Sequence, residues 1–346
     1  MRWLLISTDP LPQRIRGLIK MLVLVGLLFA LFWIVPVNRV IQALLTVDMP
    51  LFILGIGLGL LAVFLTSLQM KLLLHNQQIQ RGVGQIFAVN LAVKFYLLFT
   101  PTTLIASGVR WYRFSRPEGK FTEAFVALAS FRLLGSFLTL TMGLGFLLIG
   151  TQYALLFTTG WIILLIIGII IIWLLFTRFS LPIYQWVNLR SGRLFNMPIF
   201  HWVSQRIEKL LEAASAYAQM PATGLLGIIV SGIFSFLTVI ASAVVFAKSL
   251  GIDIGFIEMG WIQAVISLVS QLPFTMAEGL GVREVTLVTL LGLFGVGAER
   301  ALALSFLIFI RGVVIALLGG IVEAISALRT KRLTAAAPIP REPSEN

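Results

Sequence analysis

Seven ionisable side chains lie where the surrounding sequence is apolar: Lys94, Arg110, Arg132, Glu278, Arg283, Glu284 and Arg311. An ionised group in hydrocarbon costs about 2.5–3.5 kcal/mol even on the lenient insertion scale. Such residues must face one another or a wet cavity. Basic residues outnumber acidic ones five to two in this set, which favours an anionic ligand. Arg in particular holds a phosphate through two parallel N–H bonds. Gly279 and Gly281 would let the chain turn tightly and let a ligand approach the backbone. A short helix beginning near Val282 would aim free N–H groups at that ligand. Glu278 or Glu284 could instead bind a head-group amine, or carry a coupling proton if burial raises its pKa. A plainer account is structural: Arg283 or Arg311 neutralises Glu278 or Glu284 and fixes helix register, and Lys94 snorkels from a shallow helix.

The elements that must position these residues follow from composition. Of 346 residues, 59% are apolar and 12% charged, and the mean hydropathy is +1.00. Soluble chains carry about 25% charge. A soluble enzyme, a nucleic-acid-binding domain and a disordered chain are excluded as whole-chain readings. So is a membrane β-barrel, whose strands alternate polar and apolar and never run about 20 apolar residues together. The expected class is an all-α polytopic membrane protein. Full spans are expected over 17–35, 51–70, 122–150, 154–176, 223–247 and 300–322. Two broken apolar segments, 83–119 and 255–298, are expected to enter and leave on the same side as hairpins.

Charge supports that treatment. With 83–119 turning at Pro101 and returning to the cytoplasm, Arg110, Arg113, Arg116 and Lys120 obey the positive-inside rule. A matching hairpin over 255–298 leaves only Arg39, Lys248 and Arg300 outside, with Lys94, Arg132, Arg283 and Arg311 at membrane depth. Both termini are then cytoplasmic, and the membrane is a cell (inner or plasma) membrane. The net charge of +12 is read as topology and gives no reason to expect a nucleic-acid partner. The single domain covers 1–325. Its cytoplasmic loop, 177–222, contains an amphipathic helix at 199–219 lying on the inner surface. The Ala/Pro-rich tail 326–346 is expected to be disordered.

The broken segments resemble each other. The first reads Pro101-Thr-Thr-Leu-Ile-Ala-Ser-Gly-Val-Arg110, the second Pro273-Phe-Thr-Met-Ala-Glu-Gly-Leu-Gly-Val-Arg283. Each follows a full span and precedes a span with an internal arginine, Arg132 or Arg311. On this topology the two units are oppositely oriented, as in the inverted repeats of transporters, whose broken helices meet near the midplane.

No catalytic constellation is present: no HExxH, GxSxG, Walker loop or dinucleotide fingerprint. There is no cysteine, and His75 and His201 are the only histidines. Neither a cofactor nor a metal site is expected, and the chain is not expected to be an enzyme.

The run Pro273 to Glu284 resembles the Pro…Gly-Gly-Leu-Gly-x-Arg-Glu signature of the lysylphosphatidylglycerol synthase transmembrane-region, or flippase-like, family. Pro101 to Arg116 and Arg132-Leu-Leu-Gly135 extend the resemblance, which spans most of 15–325. Glu278 stands where the family usually has Gly. The family includes the membrane half of the bacterial multiple peptide resistance factor, which moves an aminoacylated phospholipid between leaflets. The resemblance implies the lipid-translocating half alone. The expected function is to bind and translocate an anionic or aminoacylated phospholipid, or a polyprenyl-phosphate lipid. The expected binding residues are Lys94, Arg110, Arg132, Glu278, Gly279, Gly281, Arg283, Glu284 and Arg311. The expected partner is a membrane lipid with a phosphate-containing head group, together with a further copy of the chain or a lipid-synthesis enzyme. The alternatives are a small-solute secondary transporter and a non-transporting, lipid-binding partner of a membrane enzyme.

Overall fold

The computed structural model describes residues 44–99, 103–150, 216–270 and 281–335, with scattered positions between. The expected spans 17–35 and 154–176, the loop 177–222 up to residue 209, and Glu278 and Gly279 lie outside the described residues, apart from isolated positions of the second span.

Among the described residues, eight α-helices follow in order: α1 (Met49–Asn76), α2 (Val83–Phe99), α3 (Thr103–Ser115), α4 (Phe121–Gly150), α5 (Ala222–Ser249), α6 (Phe256–Val269), α7 (Val282–Gly292) and α8 (Ala298–Ala335). No strand occurs among the described residues. Among the described residues, four helices are long and apolar enough to cross a membrane: Met49–Asn76, Phe121–Ile149, Ala222–Ser249 and Ala298–Ser326. A 28-residue helix is about 42 Å long, against about 30 Å of hydrocarbon.

The centre of the fold is the α1/α5 pair. Asp48 caps α1 by accepting from the Leu51 N–H at 3.1 Å, and its own N–H donates to the Ser249 carbonyl at the far end of α5. Further along, the Ser242 hydroxyl donates to the Gly55 carbonyl at 2.7 Å, Thr66 and Ser235 share a hydrogen bond at 2.9 Å, and the Gln69 amide donates to the Ile228 carbonyl at 3.2 Å. Numbers rise along α1 as they fall along α5, so the helices are antiparallel over their whole length. Gly55, Gly59 and Ala62 recur every three to four residues on the contact face of α1, where small side chains allow close approach.

Two hydrophobic cores lie at opposite ends of this pair. One gathers Phe236, Ile240 and Phe246 of α5 with Met259 and Ile262 of α6, Leu287 of α7 and Leu302 and Leu304 of α8. The other gathers Met70, Leu73 and Leu74 of α1 with Ile86 of α2, Phe114 of α3 and Ala127 of α4. Tyr217, in a short 3₁₀ turn before α5, closes the second core and donates to the Leu73 carbonyl at 3.3 Å.

The short helices pair as α2 with α3 and α6 with α7. Helix α2 ends at Phe99 and α3 begins at Thr103, while α6 ends at Val269 and α7 begins at Val282; Pro101 and Pro273, expected to turn the chain, lie outside the described residues. The first helix of each pair packs on a long helix remote in sequence, α2 on α8 and α6 on α4. Both interfaces depend on glycine. A Cβ on Gly319 would lie 1.9 Å from the Leu91 carbonyl oxygen, and one on Gly143 would lie 2.2 Å from the Ala264 side chain.

Candidate functional site

Helix packing sorts the expected site residues into three groups. The first is Arg110 with Arg132. Helix α3 carries Arg110 and α4 carries Arg132, and the two helices diverge around an open cleft of about 650 Å³. Val93 and Leu97 of α2 form its floor, Phe125, Leu128 and Phe131 one wall, and Ser107, Ser136 and Trp111 polar points on its rim. Among the described residues, none that lines it is acidic. The two guanidinium groups are close enough to repel each other. Arg110 Nε is shielded from solvent and has no hydrogen-bond partner among the described residues. An unmatched buried donor is costly unless a ligand supplies the acceptor. Two cations with an open donor, facing an apolar trough, suit an anionic group attached to an apolar body.

The second group is Lys94 with Arg283. They flank a small void of about 20 Å³, completed by Leu97, Phe309 and Gly312. Residues from both helix pairs thus meet, and Leu97 is common to this void and the larger cleft. Arg283 is buried and internally satisfied. Its Nη2 donates to Glu284 Oε1 at 2.7 Å and its Nε to Ser305 at 3.1 Å, while Ser305 donates to the same Glu284 oxygen at 2.9 Å. The other oxygen of Glu284 accepts from the Gly281 N–H at 2.5 Å. Gly281 has φ +88°, a conformation that L side chains rarely adopt, and it turns the chain into α7 at Val282. The start of α7 lies where the sequence puts it. Its first donor is nevertheless taken by Glu284 from within the helix. The plainer account of the sequence, a structural ion pair, describes Arg283 and Glu284 here.

Arg311 belongs to a third group, at the α8 contact with α1 and α5. Its guanidinium donates to Ser242 at 2.8 Å and lies 6.0 Å from the Phe246 ring centre, and its stem fills the space left by Gly59. It therefore binds α8 to α1 and α5 and lines neither cavity. Asn90, one turn before Lys94, is buried and donates to Ser67 at 2.8 Å.

Sequence reasoning passed over a fourth cluster. Arg113 pairs with Glu323, whose Oε1 also accepts from the Tyr96 hydroxyl at 3.0 Å. The sequence places Arg113 among the cytoplasmic charges, beside aromatic residues that could touch lipid head groups, and gives it no acidic partner. Glu323 fell one residue beyond the expected end of the last span, but the apolar stretch runs on to Ser326. The signals available were the three-residue spacing of Arg110 and Arg113 and the lone acid near the end of the last span.

No curated protein matches the chain. Residues 17–320 match the family described as the lysylphosphatidylglycerol synthase TM region, membrane proteins related to lipid synthesis, and this multi-pass chain belongs to that family.

Proposed function

We propose that this protein binds a phosphate-bearing lipid and translocates it between the leaflets of a cell membrane. The lipid is an anionic or aminoacylated phospholipid, or a polyprenyl phosphate. The observation that carries this reading is the cleft between α3 and α4. Arg110 and Arg132 face it with no lining carboxylate among the described residues, and an apolar wall extends beside them. The head-group phosphate would take the open Arg110 donor, and the tails would follow Phe125, Leu128 and Phe131 toward the bilayer. In this reading the protein performs no covalent chemistry, and its termini are cytoplasmic.

The movement we propose is an exchange of access between two units of opposite orientation, α1–α4 and α5–α8. Three features support the repeat. The starts of α1 and α5, the starts of α2 and α6, and Arg110 and Arg283 are separated by the same interval in sequence. The equivalent helices α1 and α5 run antiparallel. The remaining contacts occur in matched pairs, α2 on α8 answering α6 on α4. Within this pseudo-symmetry the two arginines differ in their next neighbour. Glu284 follows and neutralises Arg283, whereas Trp111 follows Arg110, so the site charge is concentrated in the first unit.

The test is leaflet exchange in proteoliposomes containing fluorescent phosphatidylglycerol, lysyl-phosphatidylglycerol or a polyprenyl phosphate. Arg110→Gln and Arg132→Gln should each slow exchange about tenfold or more, the effect of losing a charge-assisted hydrogen bond in a desolvated site. Wild-type rates in both variants, with inserted and folded protein, would remove the cleft from the mechanism.

A further inference from the structure

Helix α3 borders a second cleft on its other side. It has a volume of about 670 Å³ and is lined by Tyr96, Tyr112, Arg113 and Arg116. Gly108 belongs to the linings of both clefts, so they meet at that residue. The chemistry of the second cleft differs from that of the first. Arg113 already has an anion, the carboxylate of Glu323, and lies 5.9 Å from the Tyr96 ring centre. The contacts of that carboxylate with Arg113 and Tyr96 both fall on Oε1. Oε2 is shielded and has no hydrogen-bond partner among the described residues. Arg116 lies 5.4 Å from the Tyr112 ring centre, and no carboxylate among the described residues forms a salt bridge with it. Two arginines against one acid leave the cleft net positive. The acid is half satisfied, and tyrosines suited to the polar–apolar boundary border the cations.

A carboxylate with one oxygen shielded and unpaired is a poor competitor for an arginine. A phosphate offers more oxygens, is not tethered by a helix, and fits the guanidinium fork in the same way. We propose that the second cleft binds the phosphate of a membrane-lipid head group between Arg113 and Arg116, with Glu323 as the displaceable counterion of the empty site. Binding would then exchange one anion on Arg113 for another and release α3 from α8, the helix that carries Glu323. The cleft's role as the loading station for the Arg110 site rests on the translocase reading; its occupancy does not.

The experiment uses the full chain in phosphatidylcholine nanodiscs containing phosphatidylglycerol with a photoactivatable head group, and maps the labelled peptides. Wild-type protein should be labelled on the α2 and α3 segments around Tyr96 and Tyr112. Arg113→Gln/Arg116→Gln should lose about tenfold of that labelling, as removal of charge-assisted bonds implies. Glu323→Gln, which keeps the side-chain shape and an oxygen for Tyr96, should raise it. A purely structural Glu323 would give the opposite sign, so a fall in labelling with folded Glu323→Gln overturns the proposal. Unchanged labelling in the double arginine variant also overturns it. Labelling that excess inorganic phosphate abolishes would assign the cleft to a free anion and overturn the lipid assignment. Arg110→Gln separates the two readings. Second-cleft labelling retained while exchange is unaffected defeats the translocation site alone, and labelling retained while exchange is lost supports both.

Discussion

At Gly319 the backbone of α8 lies directly against that of α2. An added Cβ would stand 1.9 Å from the Leu91 carbonyl oxygen, 2.4 Å from its carbon and 3.0 Å from the Ala92 nitrogen. Ordinary carbon–oxygen contact begins near 3.3 Å, so Gly319→Ala must drive the helices apart by about 1.4 Å. All three near atoms are backbone, and no rotamer change can absorb the strain. Overpacking of this kind costs about 1–3 kcal/mol, partly offset by up to about 1 kcal/mol of better helix propensity for Ala. The displacement should also separate Lys94 and Leu97 of α2 from Phe309 and Gly312 of α8, widening the small void and moving the floor of the first cleft. We expect a lower thermal midpoint and a change in leaflet-exchange rate that persists after correction for folded protein. Gly57→Ala is the control, because a Cβ there meets nothing within 4 Å. It should be neutral or stabilising. If Gly319→Ala is as stable and active as Gly57→Ala, then α2 and α8 do not touch through their backbones and the packing argument fails.

Three further predictions follow from the side-chain networks. Glu284→Gln leaves buried Arg283 without its counterion and weakens the acceptor of the Gly281 N–H; it should cost about 3–5 kcal/mol, and in denaturation assays the double variant Arg283→Met/Glu284→Met should recover a large part of that loss. Arg311→Leu should lower stability in the same assay, yet leave exchange per folded molecule near wild type, because Arg311 contacts Gly59, Ser242 and Phe246 and not a cleft. Burial raises the Tyr217 phenol above its ordinary range. Its neutral form is the one the fold accepts, so this contribution is complete below the unfolded phenol pKa of about 10 and is lost as pH rises above it. Tyr217→Phe should flatten the alkaline limb of a stability–pH curve and cost about 1 kcal/mol at neutral pH through the lost bond to Leu73.

The legible parts of the fold were those governed by hydropathy and by backbone chemistry. The helices at 49–76, 121–150, 222–249 and from 298 follow from apolar runs longer than a bilayer. The separate short helices α2, α3, α6 and α7 follow from the interrupted apolar segments 83–119 and 255–298, and the start of α7 from Gly281 and its positive φ. Helix phase was not legible to the same degree. Arg132 and Arg311 look alike in sequence, each a lone cation in a long span. One faces the cleft and the other the α1/α5 interface, because rotation about the axis is set by partners remote in sequence. The same limit hid the Arg113–Glu323 pair, whose members are 210 residues apart. It also left open which acid would neutralise Arg283. The answer is the adjacent Glu284, which can reach Arg283 while capping Gly281 because Ser305 of α8 bridges the two side chains.

The crosswise packing of α2 on α8 and α6 on α4 bears on how the protein is made. When α4 leaves the ribosome, the surface it will cover on α6 does not yet exist, and α2 waits longer still for Gly319 and Gly320 of α8. Until then α2 must keep Asn90 and Lys94 satisfied within its own half, where Ser67 of α1 supplies one partner. Neither half is a finished folding unit. The last of the described helices secures α2, so errors in α8 would be felt at the site built in the first unit.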